Sequence, residues 1–168
     1  ADVVVWAVKP QQFHEAATAA AAHLAQALHI SVAAGITTAT LARWLGSARI
    51  VRCMPNTPAL VGQGMTGIYA APGVTQQERA LADAVLAPTG QRMWLEQEAL
   101  IDSLTAISGS GPAYVFYWIE ALIQGGVELG LSREQARQLA VQTFAGSAAL
   151  VAQSTEPPDV LRQRVTSK

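Results

Sequence analysis

From residue 3 to about 94, short β-branched runs alternate with longer Ala- and Leu-rich stretches, the pattern of successive βαβ units. Residues 3–8 form a continuous apolar run, which predicts a strand covered on both faces. Pro10 ends it, and over 11–28 apolar residues recur at helical spacing (Phe13, Ala16, Ala17, Ala20, Leu24, Leu28) between Gln, His and Glu. A strand over 30–34, a Gly35 turn, a short helix over 38–45 and a strand over 50–54 follow. Pro55-Asn56-Thr57-Pro58 forbids a helix and predicts an extended turn at the end of that strand. Residues 65–71 and 91–95 read as strands, separated by a helix over 75–86 with Thr75 as N-cap and Glu78 at the capping-box position.

The pattern changes near residue 97, beyond which it predicts only helices: 97–106, 112–128, 132–153 and a short one from Pro158. A Ser108-Gly109-Ser110-Gly111 loop opens the second, with Pro112 at the first helical position, where its missing N–H is harmless. Gly130 reads as a helix stop, and Ser132 with Gln135 as a capping box. Between 114 and 123 the second helix is apolar nearly all round, so it must be buried on every side. The helical part is too small to do this, so a partner subunit is expected to cover it, with residues beyond the chain's ends as the alternative.

The fold class expected is therefore α/β then all-α: a partial Rossmann-like doubly wound sheet over residues 1–96, followed by a helical domain over 97–168. Composition narrows the function. With 11 basic against 12 acidic side chains, the chain has no electrostatic pull on nucleic acid or anionic lipid. Its uncharged runs are broken by Pro, Gly, Asn and Ser, so no membrane span is expected. Cys53 is alone, which excludes an internal disulfide and makes a reducing cytoplasm the default compartment. The chain starts inside an apolar run without Met.

Candidate chemistry is sparse. Gly62-Gln63-Gly64-Met65-Thr66-Gly67 satisfies the dinucleotide pattern G-x-G-x-x-G, but it follows a Pro-rich loop and leads into a β-like run, so it reads as a turn into a strand. The Ser108–Gly111 cluster suits either an anion held by free amides and hydroxyls or a sharp, Ser-capped loop. His14, His23 and His29 read as solvated residues in or beside the first helix, with no metal site. Cys53 lacks the surroundings of a reactive thiolate. Lys9, at a strand's carboxyl end, fits either the ligand edge of a doubly wound sheet or a solvated loop.

Taken in order, Ala1-Asp2-Val3-Val4-Val5, Ala7-Val8-Lys9-Pro10, Ala33-Ala34-Gly35, Arg52-Cys53-Met54-Pro55-Asn56-Thr57-Pro58, Ser108-Gly109-Ser110-Gly111-Pro112-Ala113-Tyr114 and Leu161-Arg162 to Val165-Thr166-Ser167 closely resemble pyrroline-5-carboxylate reductase. The resemblance spans the chain and implies an NAD(P)-binding Rossmann domain, then a helical domain that interlocks with a second subunit in a homodimer or larger homo-oligomer. It implies hydride transfer from NADPH or NADH to the C=N carbon of 1-pyrroline-5-carboxylate, giving L-proline, and no nucleic acid, membrane or metal. It places Ala7, Val8, Lys9 and Pro10 along the cofactor, Ala34 beside the nicotinamide, and Met54, Pro55 and Asn56 as a wall near its ribose and ring.

Glu98 takes the place of the family's acidic residue near the imine nitrogen, where a carboxylate favours the protonated iminium. Val165, Thr166 and Ser167 help shape the substrate-carboxylate site through their backbone. Arg164 stands where other members carry Asn, and its charge argues against direct substrate contact by that side chain. No residue is singled out as catalytic. The family's glycine fingerprint would precede Ala1 and its Gly-Gly-Thr segment would follow Lys168. The chain thus reads as an internal piece of a longer reductase, expected by itself to bind NAD(P)H poorly. Two other readings stay open: a reductase of another small imine or hydroxy acid, and a non-catalytic dimerisation scaffold.

Overall fold

The computed structural model describes residues 1–166. Two compact units divide the chain, Ala1–Pro112 and Ala113–Lys168.

The first unit is built on a five-stranded sheet in the order β1 (Val3–Trp6), β2 (Leu28–Ser31), β3 (Ile50–Met54), β4 (Gly64–Ala70), β5 (Gly90–Trp94). β1, β2 and β3 are parallel; β4 runs antiparallel to β3, and β5 parallel to β4. The reversal follows from the connection: residues 55–63 hold only a 3₁₀ turn, too little for the crossover that a parallel partner requires. The sheet is therefore mixed: β1, β2 and β3 run one way and β4 and β5 the other, and the ends of the first three carry most of the predicted site.

Helices cover both faces. α1 (Pro10–Leu24) and α2 (Thr38–Leu45) bury Phe13, Ala17, Leu41 and Leu45 against Trp6 and Ile50. On the opposite face α3 (Gln76–Leu86) brings Ala82 and Leu86 onto Leu28, Ile30, Val51, Cys53 and Ile68. Alternation along β3 sends Ile50 and Arg52 to the first face and Val51 and Cys53 to the second. Thr75 and Glu78 form the predicted capping box, each side chain bonding the other's backbone N–H.

The first three elements depart from the pattern, the second strand being Leu28–Ser31 and not 30–34. The expected first strand stops at Trp6, and Val5 is 46% exposed because β1 lies at the sheet's edge. α1 ends at Leu24, not residue 28, since Leu28–Ser31 is claimed by pairing with β1 and β3. His29 is consequently not a solvated residue near the helix. It is fully buried in β2, where Nδ1 accepts a hydrogen bond from the Trp6 indole at 3.1 Å. Burial holds its pKa below the ordinary value despite the Leu24 carbonyl, which favours the charged form; the Arg49 charge lowers it further.

After β5, α4 (Leu100–Leu104) runs through a π-turn, Thr105–Gly109, into α5 (Gly111–Glu128). The second unit holds most of α5 with α6 (Arg133–Gln153) and α7 (Pro158–Val165). Gly130 (φ +94°) makes the turn into α6, and Ser132 and Gln135 close the predicted capping box. Among the described residues of this unit only Ala136 and Ala140 are buried hydrophobics. Tyr114, Phe116, Tyr117 and Trp118 of α5 are each at least 60% exposed. No helix of the described residues is long and apolar enough to cross a membrane.

Candidate active site on the first unit

Because β1, β2 and β3 are parallel and in register, with Trp6 opposite Ser31 and Ser31 opposite Arg52, their carboxyl ends share one edge of the sheet. Ligands of open α/β sheets bind at such an edge. The structure thereby brings together residues far apart in sequence: Ala7, Val8 and Lys9 after β1, Ala34 after β2, and Met54, Pro55 and Asn56 at the end of β3. Ala7, Lys9 and Ala34 are exposed there. Lys9 is the N-cap position of α1 and Pro10 its first residue, so the turn that leaves β1 enters the helix directly.

Behind this edge lies a polar network that the sequence reading did not assemble. Arg52 points from β3 toward the α1 and α2 face and is 4% exposed. A buried guanidinium requires acceptors. It donates to Glu98 Oε1 at 3.0 Å and lies 3.5 Å from an Asp102 carboxylate oxygen. Glu98 also accepts from the Thr38 backbone N–H and from its hydroxyl, both at 2.7 Å. Its carboxylate thus binds the N-terminus of α2, where the helix dipole favours negative charge. Burial by itself would raise the Glu98 pKa; the hydrogen bonds from Thr38 and Arg52 and the Arg52 charge outweigh it and hold the group below the usual carboxylate range. The one available signal was Arg52 inside the apolar run Ile50-Val51-Arg52-Cys53-Met54, since a strand charge of that kind needs a buried partner.

The two proline-containing motifs meet directly. The Asn56 side-chain amide donates to the Ser108 carbonyl at 3.1 Å and to its hydroxyl at 3.2 Å, while Asn56 Oδ1 accepts from the Met65 N–H at 2.9 Å. Ser108 Oγ reaches the Met65 carbonyl at 3.4 Å. Gly109 faces Met54 so closely that a Cβ there would lie 3.1 Å from Cε. The Ser108–Gly111 cluster is accordingly not an open loop before a helix. It is a widened helical turn in which the Ser110 N–H already bonds the Thr105 carbonyl at 2.9 Å, so that amide is not available to an anion.

The glycines of the G-x-G-x-x-G run each have a packing reason, as a turn into a strand should. Gly62 adopts φ +69°, Gly64 begins β4 with a Cβ's place only 2.7 Å from the Thr89 carbonyl oxygen, and Gly67 lies under Leu104. They form no cradle for a pyrophosphate. Cys53 is buried and its thiol pKa is pushed up to about 12 by desolvation, so it offers no nucleophile at neutral pH. No group of three or more His, Cys, Asp or Glu side chains suited to a metal occurs among the described residues.

The remaining predicted positions lie on the second unit. Val165 and Thr166 are exposed at the end of α7, and the Thr166 hydroxyl donates to the Arg162 carbonyl. Arg164 is paired with Glu156 at 2.6 Å. Ser167 lies outside the described residues.

Residues 98–168 match a family model described as pyrroline-5-carboxylate reductase dimerisation. A relative from Pseudomonas aeruginosa named pyrroline-5-carboxylate reductase is 48% identical across 99% of this chain, which covers 62% of that protein. The solved structure of a pyrroline-5-carboxylate reductase from Coxiella burnetii superposes with a TM-score of 0.90 at 41% identity, over 100% of this chain and 63% of that one. The Plasmodium falciparum pyrroline carboxylate reductase, solved with NADP bound, gives 0.93 at 36% identity, over 99% and 64%. The chain spans about three fifths of the length of the curated relatives it matches. Over that span, in which the two proline-containing motifs are joined to each other, the chain is similar to pyrroline-5-carboxylate reductases.

Proposed function

We propose that the protein carrying this sequence reduces 1-pyrroline-5-carboxylate to L-proline with NADPH or NADH, and that this chain contributes the nicotinamide edge of the site. The observation that carries the reading is the convergence of three parallel strand ends beside the Asn56–Ser108 junction. The residues there fit the nicotinamide end of such a cofactor: Ala7 and Ala34 leave open surface for a flat ring, Lys9 adds a positive charge, and Met54 and Pro55 form a rigid apolar wall. When bound, the cofactor supplies the hydride.

This chain's own residues bind and orient. Ala7, Val8, Lys9 and Pro10 offer mainly backbone, Ala34 leaves room, and the turn Met54-Pro55-Asn56 fixes the ring's plane. Glu98 is best suited to act as a fixed negative charge that favours a protonated iminium. Its partners keep it ionised into the acid range, so it is not assigned as a proton donor. Val165, Thr166 and Ser167 are proposed as backbone contacts of the substrate carboxylate. The unit with only two buried hydrophobics, both alanines, is proposed to acquire its core from a second copy of the chain, as a homodimer or larger homo-oligomer. A reducing, cytoplasmic setting suits a chain whose single cysteine is a buried free thiol.

The test is NADPH oxidation by the full-length protein supplied with 1-pyrroline-5-carboxylate. Turnover with that imine is the expected result. NADPH binding, read by tryptophan quenching, without turnover would transfer the assignment to another imine or hydroxy acid. Absence of both would leave a scaffold.

A further inference from the structure

We propose that Asn56 is a positioning residue: its side-chain amide replaces the backbone donor that Pro112 lacks and so holds the π-turn Thr105–Gly109 against the end of β3. In a regular α-helix the carbonyl of residue 108 accepts from the N–H of residue 112. Residue 112 is proline, which has no N–H and whose ring clashes with the carbonyl four residues earlier. The Ser108 carbonyl is thus both displaced and deprived of its helical partner, in a half-buried position where an unmade hydrogen bond is costly. The helix responds by widening: the Ser110 N–H bonds Thr105 five residues back. Asn56 then donates to the freed carbonyl at 3.1 Å.

Only asparagine suits the place. Two donors are needed toward Ser108 and one acceptor toward the Met65 N–H, and the partners dictate which way the amide points. Aspartate would turn an oxygen toward the Ser108 carbonyl, and glutamine is longer by a methylene. With both ends of the amide engaged, Asn56 acts through what it holds. Gly109 is pressed onto Met54, so the turn sets the position of the Met54-Pro55 wall. The motifs Met54-Pro55-Asn56-Thr57-Pro58 and Ser108-Gly109-Ser110-Gly111-Pro112 are two halves of one device, in which the proline of the second creates the vacancy that the asparagine of the first fills.

The catalytic consequence rests on the reductase reading above; the lock itself does not. The experiment compares wild type, N56A, P112A and N56A/P112A of the full-length protein by thermal midpoint, steady-state kinetics with NADPH and 1-pyrroline-5-carboxylate, and hydrogen exchange at the Ser110 amide. N56A is expected to speed Ser110 exchange, lower the midpoint and reduce kcat by roughly tenfold to a hundredfold, the scale of a wall misplaced by about 1 Å. P112A restores a backbone donor to Ser108. In the double variant it should return the midpoint while kcat stays low, because the turn can now close as ordinary α-helix. P112A alone, which keeps the Asn56 amide, should fold and still lose turnover.

Unchanged Ser110 exchange in N56A would overturn the lock, and kcat recovering together with the midpoint in the double variant would reduce it to a stability contact. Should the wild type fail to reduce the imine, the functional reading falls and the exchange result still decides the lock.

Discussion

Replacing Arg52 by methionine tests whether the buried network behind the strand ends is held by charge. The Arg52 side chain is 5% exposed and that of Glu98 22%. Removing one partner of a buried pair commonly costs about 3–5 kcal/mol, because the other charge stays desolvated. Here Glu98 keeps both Thr38 hydrogen bonds and some solvent, so the expected loss is smaller, about 2–3 kcal/mol. At a urea dependence of about 1–3 kcal/mol per molar, this lowers the unfolding midpoint by roughly 0.7–3 M. Urea titration of the full-length protein followed by tryptophan fluorescence reads the effect, since Trp6, Trp44 and Trp94 all lie in the first unit.

The cycle with Glu98→Gln separates charge from packing: the double variant should cost less than the two singles added, by about 1–2 kcal/mol. The pH dependence has a definite sign. Glu98's folded pKa lies below its ordinary 4.5, so its contribution is complete above that value and disappears as pH falls through the lower folded pKa. The gap between wild type and Arg52→Met should therefore close in acid. A loss under about 0.5 kcal/mol, or additivity in the cycle, would refute the assignment and leave Arg52 as a packed stem.

Two further outcomes follow from burial. Cys53, with its thiol pushed up to about 12, should resist iodoacetamide at pH 8 in the native protein and react readily in denaturant; stoichiometric native labelling would contradict its placement. Trp118→Glu puts a charge on the apolar face of α5, where the native residue is 62% exposed within one chain. If a second copy covers that face, sedimentation should show dissociation weakened assembly by about a hundredfold or more; an unaltered oligomer would place the interface elsewhere.

Much of the fold was legible because it depends on short-range pattern. The apolar runs located five strands, and Thr75 with Glu78 and Ser132 with Gln135 marked helix starts that are capped as expected. The all-round apolar character of residues 114–123 likewise announced a helix that its own unit leaves exposed. Pattern failed where a distant partner overrode it. The helical spacing runs on to Leu28, yet pairing with β1 on one side and β3 on the other draws Leu28 and His29 into the sheet. Pro112 looked like a harmless first helical residue, yet the chain was already helical when it arrived, and the cost appears at Ser108.

The sequence by itself determined the order of elements, the place of the carboxyl-end loops and, through two specific motifs, a resemblance to one family. Tertiary structure decided what those motifs do to each other. Arg52 meets Glu98 across 46 residues, and Asn56 meets Ser108 across 52. Periodicity and capping reach only over a turn or a strand, whereas satisfying a buried guanidinium or an orphaned carbonyl depends on which groups the packed sheet brings within about 3 Å.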